Sequence, residues 1–407
     1  MPARKRSELP PTAGLPLKAG DFARTPARSF ARGLADIFGL PSAVFTCSGT
    51  AAMVVALRVL QGREPGRSDV IIPAYTCPLV PLAVKLVPGL RAVPCDVLPC
   101  GFDFDPEKLA SLCGPRTLVV MPTHLGGRVA DVATARAIAK RNGAAVLEDA
   151  AQALGAASDG KSVGLAGNAA FFSLAAGKGL TTYEGGFICA GDPELGAELA
   201  AAARRLLKPD ICRTLRRNAG LLCYALFYTP SRLGLVYGRN LRRMLDKGNE
   251  EAAVGDYYTL ADIPLHSLDA FRQRVAANAM ERLPGFLRDC ADRAAGRLKT
   301  LRELKDITVV SDRPGADGVW PFMMVFMPGK EQRDKALDRL WRAGLGVTKL
   351  FVRALPDYAF LASCFDGERV DCPNARDMAD RMLTITNTHW LDEGGFARIV
   401  ASLEESL

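Results

Sequence analysis

Short, mainly apolar runs recur along the first third of the chain, at residues 43–46, 69–72, 91–96, 117–121 and 144–147. Between and before them lie stretches of helical periodicity at 27–38, 51–60, 105–113 and 131–141. An apolar run of four to six residues is too short for a packed helix and reads as a buried strand. Strands that alternate with helices pair in parallel, because each crossover carries the chain back to the same end of the sheet. The pattern therefore predicts an α/β fold, with a mostly parallel central sheet and helices on both faces. Pro73 and Pro94 are expected to limit the second and third strands. Asp105 is placed to cap helix 105–113, with Pro106 in its first turn.

Open α/β sheets collect ligands at the carboxyl ends of their strands. The run 144–147 ends in Glu148-Asp149, which puts an acid at such an end. Upstream, Ser48-Gly49-Thr50 joins a strand to an apolar helix, and the first backbone N–H groups of a helix make a phosphate cradle. Downstream, the stretch 171–186 reads FFSLAAGKGLTTYEGG, with Lys178 between two glycines on a loop joining two apolar runs. A lysine held that way can turn its amine into a cavity, although most lysines stay in solvent. Phosphate cradle, acid and lysine are together what a pyridoxal phosphate (PLP) enzyme requires. The lysine forms the Schiff base, and the carboxylate keeps the pyridine nitrogen protonated so that the ring can accept electrons.

The stretch 155–162, GAASDGKS, satisfies the phosphate-loop pattern of ATPases. That loop needs a helix beginning at its Lys-Ser, and Gly164 and Gly167 oppose one here, so a tight turn between extended segments is expected. Eleven cysteines are scattered without a CxxC pair, and three histidines are too few for the usual zinc patterns. Cys95 and Cys100 read as strand and loop positions. No metal site is expected, and the thiols suit a reduced, cytosolic compartment. No run of about twenty apolar residues is present to span a membrane. The start, MPARKRSELPPTAG, lacks an apolar h-region and reads as a loose basic arm.

The 407 residues suit a large domain, 1–265, followed by a linking helix and a smaller α+β domain, 266–407. Segment 204–247 carries eleven basic residues against two acidic ones, a local +9 in a chain of net +8. Within it, the apolar run NAGLLCYALFYTPS lies between Arg217 and Arg232, too short to cross a bilayer, with Pro230 expected to end any helix. One reading is an ordinary helical hairpin over the sheet edge or a dimer contact, its charges in water. The other is a docking site for an anionic membrane, or for a lipid-linked or diphosphate substrate.

The segments SGTAAMVVAL, DVIIPAYTCPLVPLAV and PTHLGGRVADV, and the long block from VLEDAAQALG to TTYEGG, resemble the DegT/DnrJ/EryC1/StrS family of PLP-dependent sugar aminotransferases. AGLGV and LTITNTHW near the end match more loosely, so the resemblance runs from about residue 22 to 407. It implies the type I aminotransferase fold, with Lys178 as the Schiff-base lysine and Asp149 as partner of the pyridine nitrogen. It places Gln152 near the cofactor ring and Gly49, Thr50 and Ser173 around its phosphate. Cys77 stands where the family has an aromatic side chain stacked on the ring. A GYN-x-R-like segment, which reaches the partner subunit's cofactor in the family, has no counterpart before the linking helix, and 204–247 reads as an insertion. Helix 268–304 is implied to link the domains and pack at a homodimer interface, with a break at Pro284. Lys349 and Arg353, where the family turns back toward the site, are candidates for a substrate carboxylate or phosphate, or plain surface charges.

The activity implied is amino transfer from a donor such as glutamate to a keto acceptor, plausibly a keto-sugar nucleotide, with no nucleic-acid partner. The dehydratases of the family replace the lysine by histidine, so Lys178 argues against that branch. A PLP-binding regulatory or scaffold protein without turnover, and an aminotransferase for a lipid-linked or other non-nucleotide acceptor, are the alternatives.

Overall fold

The computed structural model describes residues 7–365 and 370–407. Short helix α1 (Ala19–Ala23) and helix α2 (Phe30–Phe38) precede the first strand. The second begins three residues later than its periodicity suggests, because the Ser29 hydroxyl accepts the Arg32 N–H and sets the cap there. Strand β1 (Val44–Thr46) leads through the Ser48 cap into α3 (Gly49–Arg63), which is buried on nearly all sides. Then follow β2 (Asp69–Pro73), α4 (Leu79–Lys85), β3 (Arg91–Cys95), α5 (Pro106–Leu112), β4 (Thr117–Val120), α6 (Val132–Arg141) and β5 (Ala145–Asp149). The Asp105 carboxylate caps α5 as expected, accepting N–H groups of Glu107 and Lys108.

Residues 155–162 form a hairpin, β6 (Ala157–Ser158) and β7 (Lys161–Ser162), turning through Asp159 and Gly160 at φ of 48° and 73°. Two positive φ values in a two-residue loop are the geometry that suits a hairpin's twist, and no helix follows Lys161. Strands β8 (Ala169–Ser173) and β9 (Gly186–Cys189) complete a seven-stranded sheet of order β1-β9-β8-β5-β4-β2-β3. Its pairs are parallel except those of β9 with β8 and with β1. Pro94 does not stop β3 but sits inside it, since β3 is the sheet edge and its missing N–H breaks no ladder. The α/β architecture with a mostly parallel central sheet expected from the sequence is the one observed.

Beyond the sheet, α7 (Pro193–Leu206) leads into a helical segment: α8 (Ile211–Phe227), α9 (Pro230–Leu233), a π-helical turn (Gly234–Gly238), α10 (Arg239–Asp246) and α11 (Glu250–Val254). Pro230 opens α9 and does not itself end α8, which stops at Phe227. Helices α12 (Ala270–Met280) and α13 (Leu283–Glu303) are separated at Glu281-Arg282, just before Pro284. The proline is the second residue of α13, where its absent N–H has no intrahelical partner to lose. A four-stranded antiparallel sheet follows, β10 (Thr308–Val309), β12 (Phe322–Phe326), β14 (Met382–Thr386) and β13 (Val347–Thr348), while β11 (Ala316–Asp317) joins the β6–β7 hairpin. Helices α14 (Lys330–Leu340), α15 (Pro373–Arg381) and α16 (Glu393–Glu404) accompany it.

Residues 7–15 are not a loose arm. Glu8, Leu9, Ala13 and Leu15 are buried, and their N–H groups bond to carbonyls of Pro230, Gly344, Pro321 and Gly179. The extended chain burying Leu9 and Leu15 meets backbone from four distant segments, so its own polar groups are satisfied as it enters the interior. The basic residues Arg4, Lys5 and Arg6 lie outside the described residues.

Candidate active site

Asp149 is the last residue of β5, paired across to Phe171 of β8, so the acid and Ser173 emerge at the same edge of the sheet. Successive side chains of a strand point to opposite faces, and Glu148 and Asp149 accordingly part company. Glu148 is fully committed away from the cavity. Its carboxylate accepts the Gly164 and Gly167 N–H groups at 2.8 and 2.5 Å and lies 3.0 Å from His124 Nε2. Because Ala130 N–H donates to His124 Nδ1, the ring proton sits on Nε2 and is directed at Glu148. Burial pushes the Glu148 carboxyl up, but His124 and the two backbone N–H groups outweigh it and hold it below the usual range.

Asp149 stands on the other face and lines a cavity of about 370 Å³. Its Oδ1 accepts the Ala151 N–H at 3.0 Å. Burial pushes its carboxyl up, and Ala151, Lys178 and His124 only partly offset this. Gly49, Thr50, Cys77, Gln152, Ser173 and Lys178 line the same cavity, so every residue singled out in the sequence for the cofactor is gathered there. A Cβ at Gly49 would lie 3.1 Å from Ser173 Cβ and 3.3 Å from Phe172 O, so glycine lets the first turn of α3 close on β8. Gln152 Oε1 accepts the Gly126 N–H at 2.7 Å, which fixes the side chain beside Asp149.

Lys178 sits on a loop pinned on both sides by the N-terminal segment. Thr12 Oγ1 donates to Gly177 O at 2.7 Å, and Leu15 N–H donates to Gly179 O at 2.9 Å. Among the described residues, no hydrogen bond or ion pair engages the Lys178 amine. Burial lowers its pKa, and Cys77 and Asp149 only partly restore it. Burial pushes the Cys77 thiol up to about 12, so it stays neutral at the wall of the cavity, a small polarisable surface and not a nucleophile.

These groups suit PLP on physical grounds. The first N–H groups of α3 have no intrahelical partner and favour an anion, so Gly49, Thr50 and Ser173 can hold a phosphate. Asp149 is a buried carboxyl whose charge is poorly compensated, a deficit that a pyridinium N–H would meet. The Lys178 amine has no competing partner.

Sequence reasoning missed several contributors to the cavity, among them Thr12 from the N-terminal segment, and Tyr237, Asp256 and Tyr258 from beyond α9. Asp256 accepts from Tyr358 Oη at 2.6 Å and from Val352 N–H at 3.0 Å. Burial nevertheless pushes its carboxyl up to about 6, so it can carry or give a proton near neutrality. The acid-aromatic string Asp256-Tyr257-Tyr258 was the one available signal. Lys349 also lines the cavity, its Nζ 2.6 Å from Glu250, while Arg353 pairs with Glu251 at 2.9 Å. Lys349 is buried at the cavity wall, whereas Arg353 is half-exposed and outside its lining.

A model of the DegT/DnrJ/EryC1/StrS aminotransferase family matches residues 18–210 and 266–404. The chain is 38% identical to GDP-perosamine synthase of Caulobacter vibrioides over 181 residues, covering 44% of this chain and 48% of that protein. It is 39% identical to 3-amino-5-hydroxybenzoate synthase of Amycolatopsis mediterranei over 282 residues, 66% of this chain and 70% of that one. The chain thus spans about half the length of the first of these relatives. Among solved structures, that of 3-amino-5-hydroxybenzoic acid synthase superposes with a TM-score of 0.71 at 25% identity, covering 93% of this chain and 89% of that one. Residues 211–265, which hold α8 to α11 and supply Tyr237 and Asp256, fall between the two matched spans.

Proposed function

The chain belongs to the DegT/DnrJ/EryC1/StrS aminotransferase family, and from that membership and the cavity's geometry we propose a PLP-dependent aminotransferase that moves an amino group from a donor such as glutamate to a keto acceptor. The observation that carries the reading is the Lys178 amine, without a partner, in one cavity with Asp149 and the N-terminus of α3. When bound, PLP supplies an electron sink and carries the amino group between the two substrates. The protein's own residues do the rest. Asp149 holds a proton on the pyridine nitrogen. Gly49, Thr50 and Ser173 would hold the phosphate, with Gln152 and Cys77 as further walls of the site, Cys77 standing where the family commonly has an aromatic side chain.

Lys178 is the residue that would hold the cofactor, and its amine would serve as the proton-transfer group. Its lowered pKa leaves more of the amine neutral, which is what a base taking a proton from the donor's α-carbon needs. The pinned loop holds the nitrogen in the cavity, so one group could both remove and return the proton.

The acceptor is a keto sugar carried on a nucleotide in this reading, supported by the name GDP-perosamine synthase. The name 3-amino-5-hydroxybenzoate synthase supports a non-nucleotide acceptor as the second choice. We place cofactor binding in residues 1–265, with the linking helix and smaller domain in 266–407. The enzyme works in the cytoplasm, consistent with eleven free thiols, and as a homodimer through residues 268–304. A monomeric mass in sedimentation at the concentration of full activity would exclude the dimer.

The test is the half-reaction. The holoenzyme mixed with glutamate alone is expected to release one equivalent of 2-oxoglutarate per site and lose the absorbance of the lysine-bound cofactor. A scaffold without turnover would do neither, with glutamate or with any other amino donor.

A further inference from the structure

Helix α8 is built inside out. Its inward side is anchored by Tyr224 and Tyr228, whose rings stack at 4.6 Å, and Tyr228 Oη donates to Thr12 O at 3.2 Å. Gly220 lies so close to the ring of Tyr183 that a Cβ would meet it at 2.5 Å. The helix therefore cannot roll. Its outward side presents Ile211, Leu215, Leu222 and Leu226, with relative exposures of 75%, 65%, 46% and 58%. Spacings of four, seven and four residues put all four on a single stripe. The π-helical turn that follows α9 also exposes Leu235 and Val236, at 67% and 53%.

Exposed basic side chains outnumber acidic ones in this segment. Arg216, Arg232, Arg239 and Arg243 are exposed, and among the described residues no acidic side chain pairs with Arg216, Arg239 or Arg243. Asp210 is taken by Arg213 and Asp246 by Arg342. The whole element lies within the residues that the family match passes over. No helix among the described residues is long and apolar enough to cross a membrane.

An exposed apolar stripe with a cationic rim has two natural covers. A second copy of the chain would bring the arginines against their own counterparts, with few free acids to answer them. An anionic lipid surface answers both features: acyl chains take the leucines and headgroups take the arginines. We propose that α8 and the turn after it lie in the plane of an anionic membrane surface and hold the protein there peripherally. Tyr237, which lines the cavity, follows Leu235 and Val236 directly, so the docked surface and the cavity wall share one turn. Docking is separate from amino transfer and does not depend on it.

The test uses the full chain and two kinds of vesicle, pure phosphatidylcholine and an equal mixture of phosphatidylcholine and phosphatidylglycerol. At low salt the protein is expected to float with the anionic vesicles at least about tenfold more than with the neutral ones, and to come off as salt rises. The double variant Leu215→Glu, Leu222→Glu should lose this binding, while circular dichroism shows an unchanged fold. Arg239→Glu with Arg243→Glu should remove the preference for anionic lipid. Cys212 and Cys223 are the exposed cysteines, and a polarity-sensitive dye on Cys223 should shift to the blue when anionic vesicles are added. Absence of flotation, equal flotation of the leucine variant, or an unshifted dye would each overturn the proposal. A mass that halves in the leucine variant, with no vesicle binding by the wild type, would assign the stripe to contact between two copies.

Discussion

Lys178→Ala is expected to lower the amino-transfer rate by about 10²–10⁴-fold, the usual range for losing a positioned proton-transfer group. The loss of the covalent attachment adds to this. The amine has a lowered pKa and, among the described residues, no partner to satisfy. In the wild type, borohydride should fix the cofactor to the chain, and peptide mapping should put the label on Lys178. The variant should bind the cofactor without being labelled. A label on Lys161, which lies on the exposed hairpin between β6 and β7, or a rate near that of wild type, would sink the assignment.

Asp149→Asn should keep the fold and cost about 10²–10³-fold in rate, the scale seen when one buried electrostatic contact to a reacting centre is lost. The asparagine oxygen can still accept the Ala151 N–H, which is why the strand end should hold its shape. What goes is the negative charge, and with it the proton on the pyridine nitrogen. Thermal unfolding separates the outcomes, because a collapse of stability would point to a structural role. Near-normal turnover would transfer the role to another acid. Glu148 is an unsuitable heir, since both its oxygens are already occupied on the far face of the sheet, and Asp256 would be the next to examine.

How much of this was legible beforehand depends on whether local pattern or distant contact decides the feature. The apolar runs that became β1 to β5 are decided locally, and so are the caps at Ser48 and Asp105. Lys178 was readable as a lysine between glycines on a loop joining two apolar runs, and the pair Glu148-Asp149 as acids where a strand ends. That Asp149 and not Glu148 faces the cavity follows from which side of the sheet carries α3, and no local pattern states that. The N-terminal segment was misread because its prolines and charges look like a tail, while its burial is made by backbone bonds to residues 179, 230, 321 and 344. In α8 the sequence shows an apolar aromatic run but not its orientation. The tyrosines turned inward because they find stacking partners and, at Tyr228, a hydrogen-bond acceptor there, and this left the leucines outside. Asp256 enters from residues that the family match skips, so resemblance could not have supplied it either.

The segment 7–15 sets an order of assembly. It leaves the ribosome before every element that it binds, yet its four backbone partners are spread as far as Gly344. Until that residue has been made, Thr12 and Leu15 have no complete seat, and the lysine loop between Gly177 and Gly179 lacks part of its clamp. The loop that carries the Lys178 amine then gains its full clamp late in synthesis, and a nascent chain stalled before residue 344 should carry the lysine without its final geometry. Any fusion or tag joined ahead of residue 7 would have to leave this threading free.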